Sequence, residues 1–226
     1  YNAENGDFWA EGVNLGTSAN ASAFLPLFSI AVASGTLSGV AATTNNPFVL
    51  GFSSSTTTNS GWLVWSAFTA AYDIGGGGDE FTAILSIVAT NNIQANWGFT
   101  DIGTHADAQD GAYFRMDNGY IQGVLANNNS YTRTATSNRV AIAATTFHRY
   151  VLKTSDDATS VTFWDLSPSG SGYVTNWTDS ITNTLPTGSS RNTSVAVVAI
   201  NRATPSAVEM IRLDAVGKRS TRILNR

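Results

Sequence analysis

The sequence has no cysteine, and it has few residues of the kinds on which catalysis most often depends: two histidines and 12% charged residues among 226 positions. The lack of cysteine excludes thiol catalysis, cysteine-ligated zinc and a disulfide framework. No apolar run approaches the ~20 residues that a membrane-spanning helix requires, so we expect no membrane partner. A chain of this length buries about 70% of its unfolded surface on folding, so it needs no disulfide or metal for stability.

Threonine, serine and asparagine, with 28, 24 and 20 copies, make up about a third of the chain. This composition favours strands and turns over helices. Alternating or β-branched segments separated by short turns predict strands at residues 7–13, 28–32, 48–53, 61–72, 80–88, 94–100, 112–116, 120–126, 131–136, 147–153, 160–166, 172–177, 193–201 and 208–216. The sequence therefore predicts an all-β, two-sheet antiparallel sandwich that forms a single domain over residues 1–226.

The clearest local feature is the stretch DGAYFRMDNGYIQGV at residues 110–124. Asn118-Gly119 is a pair that readily supplies the positive φ angles of a two-residue hairpin turn. A turn at that position sets the cross-strand pairs Met116 with Ile121, Arg115 with Gln122, Phe114 with Gly123 and Tyr113 with Val124.

Alternation of side chains gives this hairpin two unlike faces. The face expected to be buried carries Phe114, Met116, Ile121 and Leu125. The face expected to be wetter carries Tyr113, Arg115, Asp117, Tyr120 and Gln122. Because Gly123 has no side chain, we expect the Phe114 ring to lie across its backbone.

The second half of the chain resembles the concanavalin A-like jelly-roll domains of tailed-phage virion proteins. The matching positions are Asp110, Gly111, Tyr113, Phe114 and Asp117 in the hairpin, Phe147 at the start of a later strand, residues 160–163 (SVTF), residues 186–188 (PTG) and Asp214. The resemblance covers roughly residues 80–217, departs from the pattern at Phe147, where Trp is expected, and leaves the first 75 residues unmatched. It implies a concanavalin-like jelly roll and a place in a virion, but no activity.

Many proteins with this fold are glycosidases, which need two carboxyl groups roughly 5–9.5 Å apart. The chain has four glutamates and no E-x-D-x-E string, and Asp7 with Glu11 is the single i, i+4 acidic pair on a predicted strand. No G-x-S-x-G elbow accompanies His105 or His148, so we expect both histidines to serve packing. The sequence predicts a protein that is not an enzyme.

Metal and cofactor motifs are weak. The loop IGGGGDE lacks the Lys-Ser/Thr ending of a phosphate-binding loop. Asp107, Asp110, Asp117, Asp156 and Asp157 are conceivable calcium ligands, but no stretch has the EF-hand spacing. We expect these aspartates to cap turns, and no cofactor or metal is predicted.

Charge is unevenly distributed along the chain. Residues 212–226 carry five basic residues and one acid, a net +4, which leaves −8 for the rest. One reading of this segment, residues 218–226 above all, is a solvated terminus. The other is a basic tail that docks on an acidic neighbouring protein through Lys218, Arg219, Arg222 and Arg226, with residues 1–20 as a second docking arm. The acidic body makes nucleic acid an unfavourable partner.

We therefore expect a non-enzymatic structural protein on the surface of a tailed-phage particle, a capsid decoration or fibre component. Its location is the virion, assembled in the host cytoplasm, and its partners are other virion proteins, above all the capsid protein. A homo-oligomer, by analogy a trimer, is expected. The alternative is a module that recognises a host-surface glycan through exposed aromatics, for which Tyr131, Tyr173 and Trp177 are the candidates.

Overall fold

The computed structural model describes residues 8–11, 28–33, 36–40, 49–53, 61–66, 74–101, 107–183, 185–186, 193–201 and 209–220. Side chains are described in these ranges except at residues 8–11, 28–33, 36–40, 61–66, 201 and 209. Within them the chain forms strands β1 Phe8–Glu11, β2 Phe28–Ala33, β3 Thr36–Val40, β4 Val49–Ser53, β5 Gly61–Ser66, β6 Asp79–Ile87, β7 Ile93–Thr100, β8 Gly111–Asp117, β9 Tyr120–Asn127, β10 Ser130–Arg133, β11 Val140–Ala141, β12 Phe147–Thr154, β13 Ser160–Ser169, β14 Gly172–Thr182, β15 Ser194–Asn201 and β16 Glu209–Ser220. Short 3-10 turns lie at Ile74–Gly76 and Thr136–Asn138, and no described helix has the length and apolarity to cross a membrane.

These strands form two antiparallel sheets of eight strands each within the described residues. Sheet 1 has the order β14-β13-β12-β6-β16-β4-β3, and β1 pairs with the second half of β16. Sheet 2 has the order β10-β9-β8-β7-β15-β5-β2, and β11 pairs with β9. The predicted all-β, two-sheet sandwich is confirmed.

The hairpin of β8 and β9 has the predicted register, with Met116 opposite Ile121 and Phe114 opposite Gly123. The turn residues Asn118 and Gly119 have φ angles of 49° and 80°, as a two-residue turn of this hand requires. The nearest ring to a side chain built at Gly123 is that of Phe163, which the sequence did not indicate. A Cβ at Gly123 would lie 2.6 Å from Cδ2 of Phe163 on β13, so the ring that covers the bare backbone comes from the opposite sheet.

The core lies between the sheets and contains a cluster of aromatic side chains. The Phe114 ring stacks on Trp97 at a centroid distance of 5.6 Å and meets Phe163 edge-on at 5.2 Å. Tyr150 of sheet 1 packs edge-on against Trp97 at 5.0 Å. Such ring pairs add about 0.5–1.5 kcal/mol each to the burial of their apolar area, so they fasten the two sheets to each other.

The outer face of sheet 2 differs from the sequence expectation, because much of it is buried. Tyr113 and Gln122, assigned to the wetter face of the hairpin, are 0% and 6% exposed. The other buried residues of this face on the neighbouring strands are Gln94, Asn96, Val124, Ala126, Ala196, Val198 and Ile200. Sheet 2 is therefore shielded from water on both sides over its central strands.

Candidate binding surfaces and polar clusters

A buried polar cluster lies between the two sheets. His148 on β12 and Asp165 on β13 both point between the sheets, with His148 Nδ1 2.5 Å from Asp165 Oδ1. Asn176, at the register shift between β13 and β14, donates from Nδ2 to the other oxygen of Asp165 at 2.8 Å. The His148 ring also stacks on Tyr150 at 6.0 Å.

This cluster has the histidine and carboxylate of a hydrolytic triad, but its contacts are structural. Both side chains are at least nine-tenths buried, and no described hydroxyl donates to His148. His148 is buried, as expected of a packing residue, but its hydrogen-bond partner Asp165 was not predicted. The signal was present, because Asp165 alternates with Val161 and Phe163 and therefore had to face the apolar interior. Burial, helped by the charge of Asp165, raises the pKa of the Tyr150 hydroxyl well above its usual value.

A second cluster, centred on Asp107, lies on the outer face of sheet 2. Asp107 accepts hydrogen bonds from Arg115 on β8, from Arg133 on β10 at 2.7 Å and from the Tyr113 hydroxyl at 3.1 Å. This arrangement ties the segment before β8 to both strands. Burial, followed by the nearby Asp107 carboxylate, raises the pKa of Tyr113 far above its usual value.

Two of the other aspartates considered as possible calcium ligands, Asp110 and Asp157, accept hydrogen bonds from turns of the chain itself. Asp110 Oδ1 accepts from the backbone N–H of Asn128 at 2.8 Å, and Asp157 Oδ1 accepts from Thr159 N at 3.2 Å. Hydrogen bonds from Ser155 and then Thr159 lower the pKa of Asp157. The predicted turn-capping role is confirmed for Asp157, whose partner lies in its own turn, whereas Asp110 accepts from the turn between β9 and β10. Within the described ranges, no three His, Cys, Asp or Glu side chains gather in a way that could hold a metal ion.

The basic segment predicted as a docking tail begins inside a strand. Lys218 belongs to β16, is 6% exposed, and its Nζ lies 3.5 Å from Asp79 Oδ1. The expectation for Lys218 is therefore corrected, since its charge is held in the fold. Arg219 is exposed on the same strand, while Arg222 and Arg226 lie outside the described residues. Within the predicted N-terminal arm, Phe8–Glu11 forms β1 and pairs with β16. The rest of the arm, including Asp7, lies outside the described ranges, and so does His105.

The three aromatic candidates for glycan binding lie on edge strands of different sheets, Tyr131 on β10 and Tyr173 and Trp177 on β14. Tyr131 is 39% exposed on β10 beside Arg133, whose Cζ lies 5.7 Å from the ring centroid, at the edge of sheet 2. Tyr173 is 41% exposed on β14 in sheet 1. Trp177 is not the exposed residue expected, because it packs on the core and donates from Nε1 to the carbonyl of Asn138 at 2.6 Å.

A pocket of about 200 Å3 opens on the outer face of sheet 1, where β12 turns into β13. It is lined by Lys153, Thr154, Ser155, Asp156, Ser160, Thr162 and Trp164. Sequence reasoning missed it, although the alternation in β13 placed Trp164 on the face opposite the core.

Comparison with known proteins gives both a family and a fold. The sequence profile of the family described as SO2946-like, C-terminal domain, matches residues 45–214. No curated protein is significantly similar to the chain.

Several solved structures have the same fold at low sequence identity. A protein of unknown function, SO2946 from Shewanella oneidensis MR-1, is 18% identical with a TM-score of 0.70, and the alignment covers 96% of this chain and 89% of that one. Peanut lectin is 10% identical with a TM-score of 0.60, covering 99% and 100% of the two chains. A carbohydrate esterase from the Shiga toxin-encoding bacteriophage phi24B is 8% identical with a TM-score of 0.54, covering 96% and 100%. The fold is thus the concanavalin-like jelly roll that the resemblance implied.

Proposed function

The chain belongs to the SO2946-like C-terminal domain family, and we propose that it serves as a non-enzymatic structural component on the surface of a tailed-phage particle. In this role it binds other virion proteins, above all the capsid protein, as a decoration or cement rather than a fibre. The phage context is supported by the sequence resemblance of residues 80–217 and by the phage origin of one structural neighbour.

The structural role is supported mainly by polar side chains that join separate segments of the fold. The His148–Asp165 and Lys218–Asp79 contacts each join separate strands and are more than nine-tenths buried, whereas the Asp107 cluster joins its segments nearer the surface, with Arg133 42% exposed. Removing one partner of a buried charge pair such as Lys218–Asp79 costs about 3–5 kcal/mol, and the hydrogen bonds of the other clusters add to the fixed geometry of loops and strands. A rigid sandwich that displays exposed edges suits a particle component that acts by shape.

The exposed edge strand β14 offers a contact surface for such assembly. Most of its residues are exposed, and Tyr173 and Val174 are 41% and 51% exposed at one end. An edge strand presents unpaired backbone groups to any neighbour. We place contacts with virion partners at this edge and at the basic residues that follow Lys218.

The test is to locate and count the protein in purified particles of the phage that encodes it, by quantitative mass spectrometry and cryo-electron microscopy. We expect a fixed copy number in multiples of three. Deletion of residues 221–226 leaves β16 intact and should reduce occupancy, whereas deletion of residues 1–7 leaves β1 intact and tests the N-terminal arm separately. Absence of the protein from particles refutes the proposal; normal occupancy of both truncated forms refutes docking through the termini.

A second candidate function, recognition of a host-surface glycan, is favoured by the lectin among the structural neighbours and by the exposed Tyr131 with Arg133 beside it. A glycan array probed with the oligomeric protein tests it. Binding that disappears in Tyr131→Ala supports this site, and an array without any signal contradicts the candidate.

A further inference from the structure

We propose that the pocket between β12 and β13, on the outer face of sheet 1, binds a single neutral sugar ring, with Trp164 as the stacking surface and Asp156 as the principal hydrogen-bond acceptor. The inference rests on the glycan-binding candidate but moves its site away from Tyr131, Tyr173 and Trp177. The volume of the pocket, about 200 Å3, is below the roughly 300 Å3 at which sites for drug-sized ligands begin. A pocket of this size fits one pyranose unit of a longer glycan.

The pocket combines an aromatic wall with hydroxyl groups. Trp164 is half-buried and stands in register between Val151 on β12 and Thr178 on β14. On the adjacent row, the hydroxyls of Thr162 and Ser180 lie 2.9 Å apart. The electron-rich face of an indole attracts the polarised C–H groups of a sugar ring, while the hydroxyl pair can exchange hydrogen bonds with the ring substituents.

Two charged groups at the rim select against charged ligands. Lys153 and Asp156 both line the pocket, and neither forms an ion pair or side-chain hydrogen bond with any described residue. A ligand with a strong negative charge is attracted by one and repelled by the other, and the same holds for a cation. A neutral polyol can donate to the carboxylate and accept from the ammonium at once, so the two charges favour it over a phosphate or a basic side chain.

The turn that carries Asp156 is held in place before any ligand arrives. Ser155 Oγ accepts from the backbone N–H groups of Thr159 and Ser160 at 3.1 and 3.0 Å. From the opposite side, Gly78 N donates to the Ser155 carbonyl at 3.1 Å. Because the turn is already fixed, little conformational entropy is lost when a ligand binds to it.

The experiment follows the indole N–H signals of the 15N-labelled protein during titration with a panel of methyl glycosides of glucose, galactose, mannose and N-acetylglucosamine. Six tryptophans give a countable set of signals, and Trp164→Phe assigns the one of interest. We expect the Trp164 signal to shift saturably with at least one sugar. Asp156→Asn, at an exposed turn position, should weaken that binding by roughly tenfold, because it removes a charged hydrogen-bond acceptor.

The matched control is Tyr173→Ala, an exposed aromatic on the same face of sheet 1 but away from the pocket, which should leave the titration unchanged. Saturable shifts that persist in Asp156→Asn, or no saturable shift with any sugar of the panel, overturn the pocket. A glycan whose binding is lost in Tyr131→Ala instead overturns the pocket and keeps the glycan-binding candidate. Particle occupancy is measured independently, so failure here is distinguishable from failure of the structural role.

Discussion

Substituting Gly123 by alanine tests how tightly the two sheets fit together. The added methyl group would lie 2.6 and 2.7 Å from Cδ2 and Cε2 of Phe163, where ordinary van der Waals contact begins at 3.4 Å. Phe163 is fully buried and meets Phe114 edge-on, so its ring has little room to withdraw. The substitution therefore forces the sheets apart or the ring out of its position.

Overpacking of a buried site costs about 1–3 kcal/mol, and alanine recovers about 0.5–1 kcal/mol of that because it is less flexible than glycine in the unfolded chain. We expect a net loss of about 1–2 kcal/mol, which for a chain of this length lowers the Tm by about 2–8 °C. Phe163→Leu shortens the opposing side chain. In that background the cost of Gly123→Ala should fall by about 1 kcal/mol.

Urea denaturation monitored by tryptophan fluorescence measures these differences as shifts in the transition midpoint at constant slope. Gly172→Ala is the matched control, because no atom lies within 4 Å of its built Cβ. An unchanged midpoint for Gly123→Ala, or equal costs with and without Phe163, would show that the reasoning about this contact is wrong.

Three further predictions concern the polar clusters. His148→Ala should cost about 1–3 kcal/mol in urea denaturation, because it leaves an oxygen of the buried Asp165 without its hydrogen-bond partner; a loss below about 0.5 kcal/mol would contradict a structural role for the pair. Lys218→Met should cost about 3 kcal/mol, whereas Arg219→Met, exposed on the same strand, should stay within about 0.5 kcal/mol; equal effects would contradict the burial of the first. Because the pKa of Tyr113 is raised in the folded state, its contribution to stability is complete below the ordinary value of 10.0 and is lost as the pH rises above it. Tyr113→Phe should therefore reduce the fall of the unfolding free energy between neutral and strongly alkaline pH. The same fall in the variant and the original protein would show that Tyr113 is not responsible for it.

Much of the fold was predictable because the strand signals are local. Turn chemistry at Asn118-Gly119 determined the hairpin register, and alternation located most of the strands to within a few residues. The two strands that sequence analysis missed, Thr36–Val40 and Val140–Ala141, are short and are defined by their partners rather than by a pattern of their own.

The polar clusters were less predictable because their members come from distant parts of the chain. His148 and Asp165 are 17 residues apart, and Asn176 reaches them only through the irregular pairing of β13 with β14. The exposure of Trp177 was also predicted wrongly, because its neighbours in the sequence are polar. Its N–H donates to the carbonyl of Asn138, which lies 39 residues away and could not be identified from the local sequence. The sequence of a strand shows which of its side chains share a face. Which other element covers that face depends on how the strands are arranged in the sheets.

The position of β16 has a consequence for the order in which the molecule assembles. This twelve-residue strand pairs with β6 on one side and, on the other, with β4 along its first half and with β1 along its second half. On a ribosome, strands β12, β13 and β14 emerge one after another and can pair with β6, which is made about sixty residues earlier. Strand β1 is made about two hundred residues before its partner β16, and β4 more than a hundred and fifty residues before it. Such distant pairing slows folding and prolongs the exposure of unpaired edges, so we expect sheet 1 to close last.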